Sequence, residues 1–201
     1  MIAVLRSELR RTLMIRSSWV SIALTIAAGL TFGVFSVDFW SLFAGVGAFG
    51  IAATTTAQHY QHRTATLLFL GRPHRLRTLA AQCVAAAVIT TITAALSGLS
   101  VAGGGGEQDQ YDTTLLVVPL ITFFGVAVAT VVRRPTWLLI GSMVWLLFAE
   151  GVIGKLDAPL PFSSFLTAST GDQKHLYIFL AWTAGALLVA GYSINRDLTG
   201  D

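Results

Sequence analysis

The amino-acid sequence predicts an all-α integral membrane protein: six transmembrane helices behind an N-terminal interfacial amphipathic helix, with both termini cytoplasmic. Three observations predict it. Hydrophobic residues make up 54% of the 201 positions and charged residues 11%, against roughly a quarter charged in an ordinary soluble domain. Six apolar runs each approach the roughly 20 residues that a helix needs to cross a bilayer core about 30 Å thick. All eleven arginines fall on one side when those runs are threaded alternately, as expected if cationic loops stay cytoplasmic.

The expected division is residues 1–16 as the interfacial helix and 17–201 as the transmembrane domain. Its spans cover about 17–37, 39–57, 79–101, 113–132, 136–153 and 175–194, with a cytoplasmic loop over 58–78. In the interfacial helix, Ile2, Leu5, Leu9 and Leu13 share one face while Arg6, Arg10 and Arg11 lie elsewhere around the axis. Such a helix rests in the interface, with leucines toward the acyl chains and arginines among phosphates. A plain positive flank to the first span is the alternative. The first run is too long for a signal h-region and no small-residue cleavage site follows it, so it is expected to remain as a span.

Charge sets the orientation. Arg6, Arg10, Arg11, Arg16, Arg63, Arg72, Arg75, Arg77, Arg133, Arg134 and Arg196 belong to the inner side, with Glu8, Asp197 and Asp201 as its acids. Lys155 and Lys174 share the outer side with Asp38, Glu107, Asp109, Asp112, Asp157 and Asp172. The net charge of +3 does not argue for nucleic acid, because the arginines are scattered over short loops at span ends, where they read as topology determinants and headgroup contacts.

Within the spans, Gly29 and Gly33 stand four apart in the first, and the second carries Ala44, Gly45, Gly47, Ala48, Gly50 and Ala52. Small residues let membrane helices approach closely, so Gly29, Gly33, Gly45 and Gly47 are candidates for helix packing or a dimer seam. Thr54 and Thr55 close the second span, either bonded back to their own helix or facing a substrate. Pro119 is expected to kink the fourth span, and the lone Cys83 reads as a packing residue. Glu150 is the only acid inside a span. Intramembrane carboxylates are costly and face protein or water, so it is a candidate substrate or gate contact; the alternative is an outer-interface residue that pairs with Lys155 or His175 or reaches water. Residues 154–174, with Pro159, Pro161, Phe162 and Phe165, are expected as an outer re-entrant segment or a surface loop.

The stretch with the most distinctive pattern is His59 to Gln82, a basic island between the second and third spans. Tyr60, His62 and Thr64 lead into the apolar Leu67 and Leu68, followed by Pro73, Arg75 and the start of the next span. This order, with Glu8, Arg16 and Trp19 before and at the first span and six spans with both ends inside, resembles the ABC-2-type permeases, the membrane subunits of one class of ATP-binding-cassette exporters. His59 replaces the family's usual acid, Arg63 its glycine, and Gln82 a common lysine, so a divergent partner or an asymmetric pairing of permeases is expected.

The resemblance implies a permease in a bacterial plasma membrane that forms the pathway for a hydrophobic or amphipathic substrate: drug, peptide or lipid. The island becomes the coupling helix, with Arg63, Thr64, Leu68, Arg72, Pro73 and Arg75 contacting the ATPase. Partners are two copies of an ABC ATPase, a second permease copy or a related permease, and membrane lipid. The chain itself carries no cofactor and is not catalytic; ATP and Mg sit on the partner ATPase, since no Gly-x-x-x-x-Gly-Lys-[Ser/Thr] loop occurs here. A non-transporting immunity or assembly protein of the same layout is the alternative. An intramembrane enzyme ranks behind both, because there is no HExxH and no GxSxG, and no carboxylate or cysteine joins His59 and His62 in a metal set.

Overall fold

A computed structural model describes residues 6–7, 9–10, 12, 14, 16–61, 75–103, 108–156 and 158–196. Among them every regular element is helical: α1 (Arg16–Gly33), α2 (Val37–Gln61), α3 (Arg75–Ser97), α4 (Leu99–Ala102), α5 (Gln108–Val132), α6 (Pro135–Val144) running into a π-helical stretch π1 (Trp145–Ile153), α7 (Pro161–Ser169) and α8 (Gln173–Arg196). Five stretches are long and apolar enough to cross a membrane: Val37–Gln58, Leu76–Ser97, Gln108–Val132, Pro135–Ile153 and Gln173–Arg196. This is compatible with a multi-pass membrane protein.

The first expected span, 17–37, is not among these five and corresponds to a shorter apolar helix, Ser18–Gly33. It stops early because the chain reverses over 34–36: the amides of Phe35 and Ser36 both reach the Phe32 carbonyl. Ser36 then starts α2, its hydroxyl accepting from the Asp38 amide at 3.1 Å, which satisfies one of the orphan donors of a helix N-terminus. Pro119 sits inside α5 without ending it.

Close helix approach follows from missing side chains. A Cβ on Gly29 would lie 2.5 Å from the Ser97 Cβ, and one on Gly33 would meet Ser100. Gly47 lies against Thr25, and Gly45 against the Phe165 ring. All four glycines therefore face neighbours in the same chain. Gly98 is a fifth, with the rings of Trp40 and Tyr111 both 2.6 Å from where its Cβ would stand; those rings stack at 5.0 Å. Where lipid removes the hydrophobic gain from helix pairing, packing of this kind and interhelical hydrogen bonds supply the association. The buried bonds include Thr90 to Thr122 at 2.7 Å and Trp40 Nε1 to Ser97 Oγ at 3.1 Å.

The helices alternate in direction, so the bundle has two chemically different ends. One collects Asp38, which accepts from Gln110 Nε2 at 2.7 Å, together with Asp109, Asp112, Glu150 and Asp172. The other collects the ends of α2, α5 and α8 and the starts of α1, α3 and α6, and with them Arg77, Arg133, Arg134 and Arg196. The turn between α5 and α6 places Arg133 in the left-handed region, φ 58°. Arg134 is extended ahead of Pro135, the conformation that a following proline favours. The described positions within 6–14 are helical, with Arg6 and Arg10 exposed. Leu9 packs on the Ile22, Ile51 and Ile89 cluster.

Candidate functional site

Glu150 is fully buried, and every donor that meets it can be traced to local structure. It lies in π1, where the wider winding stacks residues five apart, whereas an α-helix brings residues three and four apart together. Trp145 is five positions before it and donates Nε1–H to Oε1 at 2.8 Å. The remaining donors come from α7. Pro161 opens that helix behind Leu160, which has no side-chain oxygen to cap it. Glu150 takes over the capping: Oε1 accepts from the Phe162 amide at 3.1 Å, and Oε2 accepts from the Ser163 amide and from the Ser163 hydroxyl at 2.7 Å. A carboxylate at a helix N-terminus meets both orphan amides and the positive end of the helix dipole, and charge-assisted bonds of this type are the strong ones.

The return from π1 to α7 is tight. Lys155 and Leu156 both adopt positive φ, 50° and 61°, and the Leu156 amide bonds to the Glu150 carbonyl at 2.8 Å. Residues with a Cβ pay roughly 1–2 kcal/mol each in this region, which the Glu150 bonds and the burial of α7 offset. His175 turns to Asp172 instead of Glu150, at 2.8 Å. Asp172 also accepts from the Lys174 amide at 2.8 Å. The His175 hydrogen bond, followed by that of the Lys174 amide, holds the Asp172 carboxyl below its ordinary value.

α7 is a buried helix, not a surface loop. Phe162, Ser163, Ser164 and Phe165 are all within the interior. Phe162 meets Phe49 edge-on at 5.3 Å, and Phe165 meets Phe179 at 5.8 Å. Phe124 joins them, 6.1 Å from Phe49 and 6.4 Å from Phe179.

Phe49 and Phe162 separate two clefts. The first, about 270 Å³, lies between α1, α2 and α6 and is lined by Thr25, Gly47, Gly50, Thr54, Ser142 and Met143 besides the two rings. The second, about 350 Å³, lies between α5, α6 and α8, lined by Val128, Trp137, Gly141 and Trp182 on the far side of the same rings. Three hydroxyls lining the first cleft are turned back onto their own helices: Thr54 to Gly50 O at 2.8 Å, Thr25 to Ser21 O at 2.9 Å, Ser142 to Leu139 O at 3.0 Å. What remains is an apolar surface suited to an apolar ligand. Thr55 bonds to Ile51 O at 2.7 Å and faces a separate small cavity with Thr12 and Gln82.

The sequence-derived site residues thus fall into three groups. Glu150 and Thr54 are joined through Phe162, whose amide is held by the carboxylate and whose ring borders the Thr54 cleft. Thr55 lies apart. Of the island residues, Arg75 opens α3, while Arg63, Thr64, Leu68, Arg72 and Pro73 lie outside the described residues. Sequence reasoning does not single out Trp145, Phe49, Phe162 or Ser163 as site residues. For Phe162 and Ser163 the signal is the uncapped Leu160-Pro161 helix start, whose orphan amides invite an acceptor; nothing in the sequence marks Trp145 or Phe49.

Among the described residues every regular element is helical, and five apolar helices are compatible with a multi-pass membrane protein. No family model, no curated protein and no solved structure matches this chain.

Proposed function

We propose that this chain is the permease subunit of an ABC-2-type exporter, with six spans, both termini cytoplasmic and the arginine-rich end in the cytoplasm of a bacterial plasma membrane. α1, though short, is the first span, extended toward the headgroups by the helix before it. Two ATPase subunits bind ATP and Mg and dock on the island, through Arg63, Thr64, Leu68, Arg72, Pro73 and Arg75. A second permease copy or a related permease completes the pathway for a hydrophobic or amphipathic substrate.

The observation that carries this reading is the Glu150-capped α7 beside an apolar cleft. A short buried helix between the fifth and sixth spans, at the end of the bundle opposite the arginines, resembles the re-entrant segment of these permeases. Irregular backbone at that depth is tolerated where protein shields it. Phe49 and Phe162 then act as the gate: substrate moves along the Thr54 cleft and passes them when α7 shifts. Glu150 controls that shift by holding or releasing the Phe162 and Ser163 amides, and ATP-driven closure of the ATPases supplies the force through the island.

The test is purification from native membranes followed by reconstitution. A nucleotide-binding ATPase is expected to accompany the chain. Leu68→Asp is expected to release it and abolish ATP-driven efflux of a hydrophobic dye from proteoliposomes, with membrane insertion unchanged. An ATPase that stays bound and coupled in the Leu68→Asp protein overturns the docking assignment; no associated ATPase at all overturns the exporter reading.

A further inference from the structure

A further cavity adjoins the second cleft and shares Phe124, Val128, Val132 and Trp182 with it. It is a laterally open groove of about 640 Å³ between α5 and α8, lined by Phe124, Val128 and Val132 on one side and by Trp182, Gly185 and Val189 on the other, with only apolar neighbours between them. It runs on α8 from Ile178 to Val189, roughly 16 Å at 1.5 Å per residue. On α5 the groove occupies Phe124 to Val132, the arginine-side third of that helix, so it opens toward the leaflet at that end. Trp182 is fixed as its upper wall by a bond from Nε1 to the Pro159 carbonyl at 2.9 Å.

The lower end carries charge. Val131 and Val132 line the groove and Arg133 follows at once, with Nη2 reaching across to Ser193 of α8 at 3.4 Å and Nε to the Thr130 carbonyl at 3.4 Å. Its guanidinium therefore bridges the two walls at the mouth. Arg134 is exposed beside it, and Arg196 is exposed one helical turn beyond Ser193. Exposed Trp137 and Tyr192 flank the same level, the depth at which amphipathic rings mark a membrane interface. The described acids, Asp38, Asp109, Asp112, Glu150 and Asp172, gather at the opposite end.

We propose that this groove is a binding site for an anionic phospholipid of the leaflet at the arginine end, one acyl chain lying between α5 and α8 and the headgroup phosphate accepting hydrogen bonds from Arg133, Arg134 and Arg196. An apolar trough with Arg133 across its mouth and exposed Arg134 and Arg196 on the adjoining turns matches both halves of such a lipid: the chain fills the trough and the phosphate neutralises the cations. The site rests on the bilayer placement of the bundle but not on the exporter reading, and it needs no ATPase.

The experiment places the full chain in nanodiscs of phosphatidylcholine with added phosphatidylglycerol and measures the motionally restricted fraction of spin-labelled phosphatidylglycerol against spin-labelled phosphatidylcholine. Native mass spectrometry of the same particles reads retained molecules. The expected result is one retained phosphatidylglycerol per chain and a clear preference over phosphatidylcholine. Gly185→Leu is expected to abolish retention, because a Cβ at Gly185 meets nothing within 4 Å and the larger side chain enters the groove without disturbing packing. Arg134→Gln is expected to lower the preference roughly fivefold, the effect of one interfacial cation, and Arg134→Gln with Arg196→Gln to lower it further. Equal restriction of the two lipids overturns the proposal, as does a preference unchanged in the double arginine variant, which leaves the helix interiors intact. A retained molecule that is not a phospholipid, or a dimer that Gly185→Leu dissociates, overturns it in favour of cargo or a second copy.

Discussion

Glu150 shows how one side chain can decide a local fold. A carboxylate accepts hydrogen bonds only, and here its two oxygens receive four donors from Trp145, Phe162 and Ser163. Glu150→Gln keeps the shape but turns an amide N–H₂ toward at least one N–H or O–H, so a donor faces a donor. The expected loss is about 1–3 kcal/mol, roughly 5- to 150-fold in the local opening equilibrium. Amide exchange at Phe162 and Ser163 reads it directly, against unchanged exchange in α5. Exchange at those amides equal to wild type would mean that Leu160 and Pro161 start α7 unaided. Sequence alone points to Glu150 because a lone acid in an apolar run is conspicuous. It does not point to the partners, since π1 pairs residues five apart and a helical reading assumes three and four.

At the scale of elements, α7 is held from below as well as from its N-terminus. Gly45 of α2 is the floor on which the Phe165 ring rests, and Phe165 is 1% exposed, so it has nowhere to go. Gly45→Val is expected to displace α7 and cost about 1–3 kcal/mol, the usual penalty for overfilling a packed interior. Equilibrium unfolding in mixed micelles measures it. Gly50→Ala on the same helix is the control, because nothing stands within 4 Å of a Cβ there. The glycine spacing in the first two spans is legible as close packing. Which neighbour each glycine receives is not: Gly29 meets Ser97, Gly33 meets Ser100 and Gly45 meets Phe165, all far along the chain.

At the scale of the molecule, the gathering of the described arginines at one end of the bundle is the property on which a membrane orientation depends. Single cysteines at Arg134 and at Gln108, both exposed, in a Cys83→Ser background are expected to react with a membrane-impermeant maleimide from opposite faces of sealed vesicles, Arg134→Cys from the cytoplasmic face. Labelling of both from one face would rule out the alternate threading. Among the five long apolar helices, α6 with π1 and α8 have the least buried windows, 11% and 28%, so these two offer the most apolar surface to whatever surrounds the bundle. The five long apolar helices are evident in the sequence because hydrophobic composition over some 20 residues suffices to find them. The first span is expected too long from sequence, because Val34 and Phe35 are apolar yet lie in the turn that Ser36 ends.

By itself the sequence determined the helical, membrane-compatible class of this protein and the division of its charges, because both depend on composition along the chain and on the alternation of runs. Tertiary structure alone decided that Glu150 caps α7, that Phe49 and Phe162 stand between a pair of clefts, and that α5 and α8 leave a trough beneath Trp182 with arginines at its mouth. Each of these depends on side chains from different helices meeting at hydrogen-bond or van der Waals distance, and linear spacing carries no information about which helix faces which.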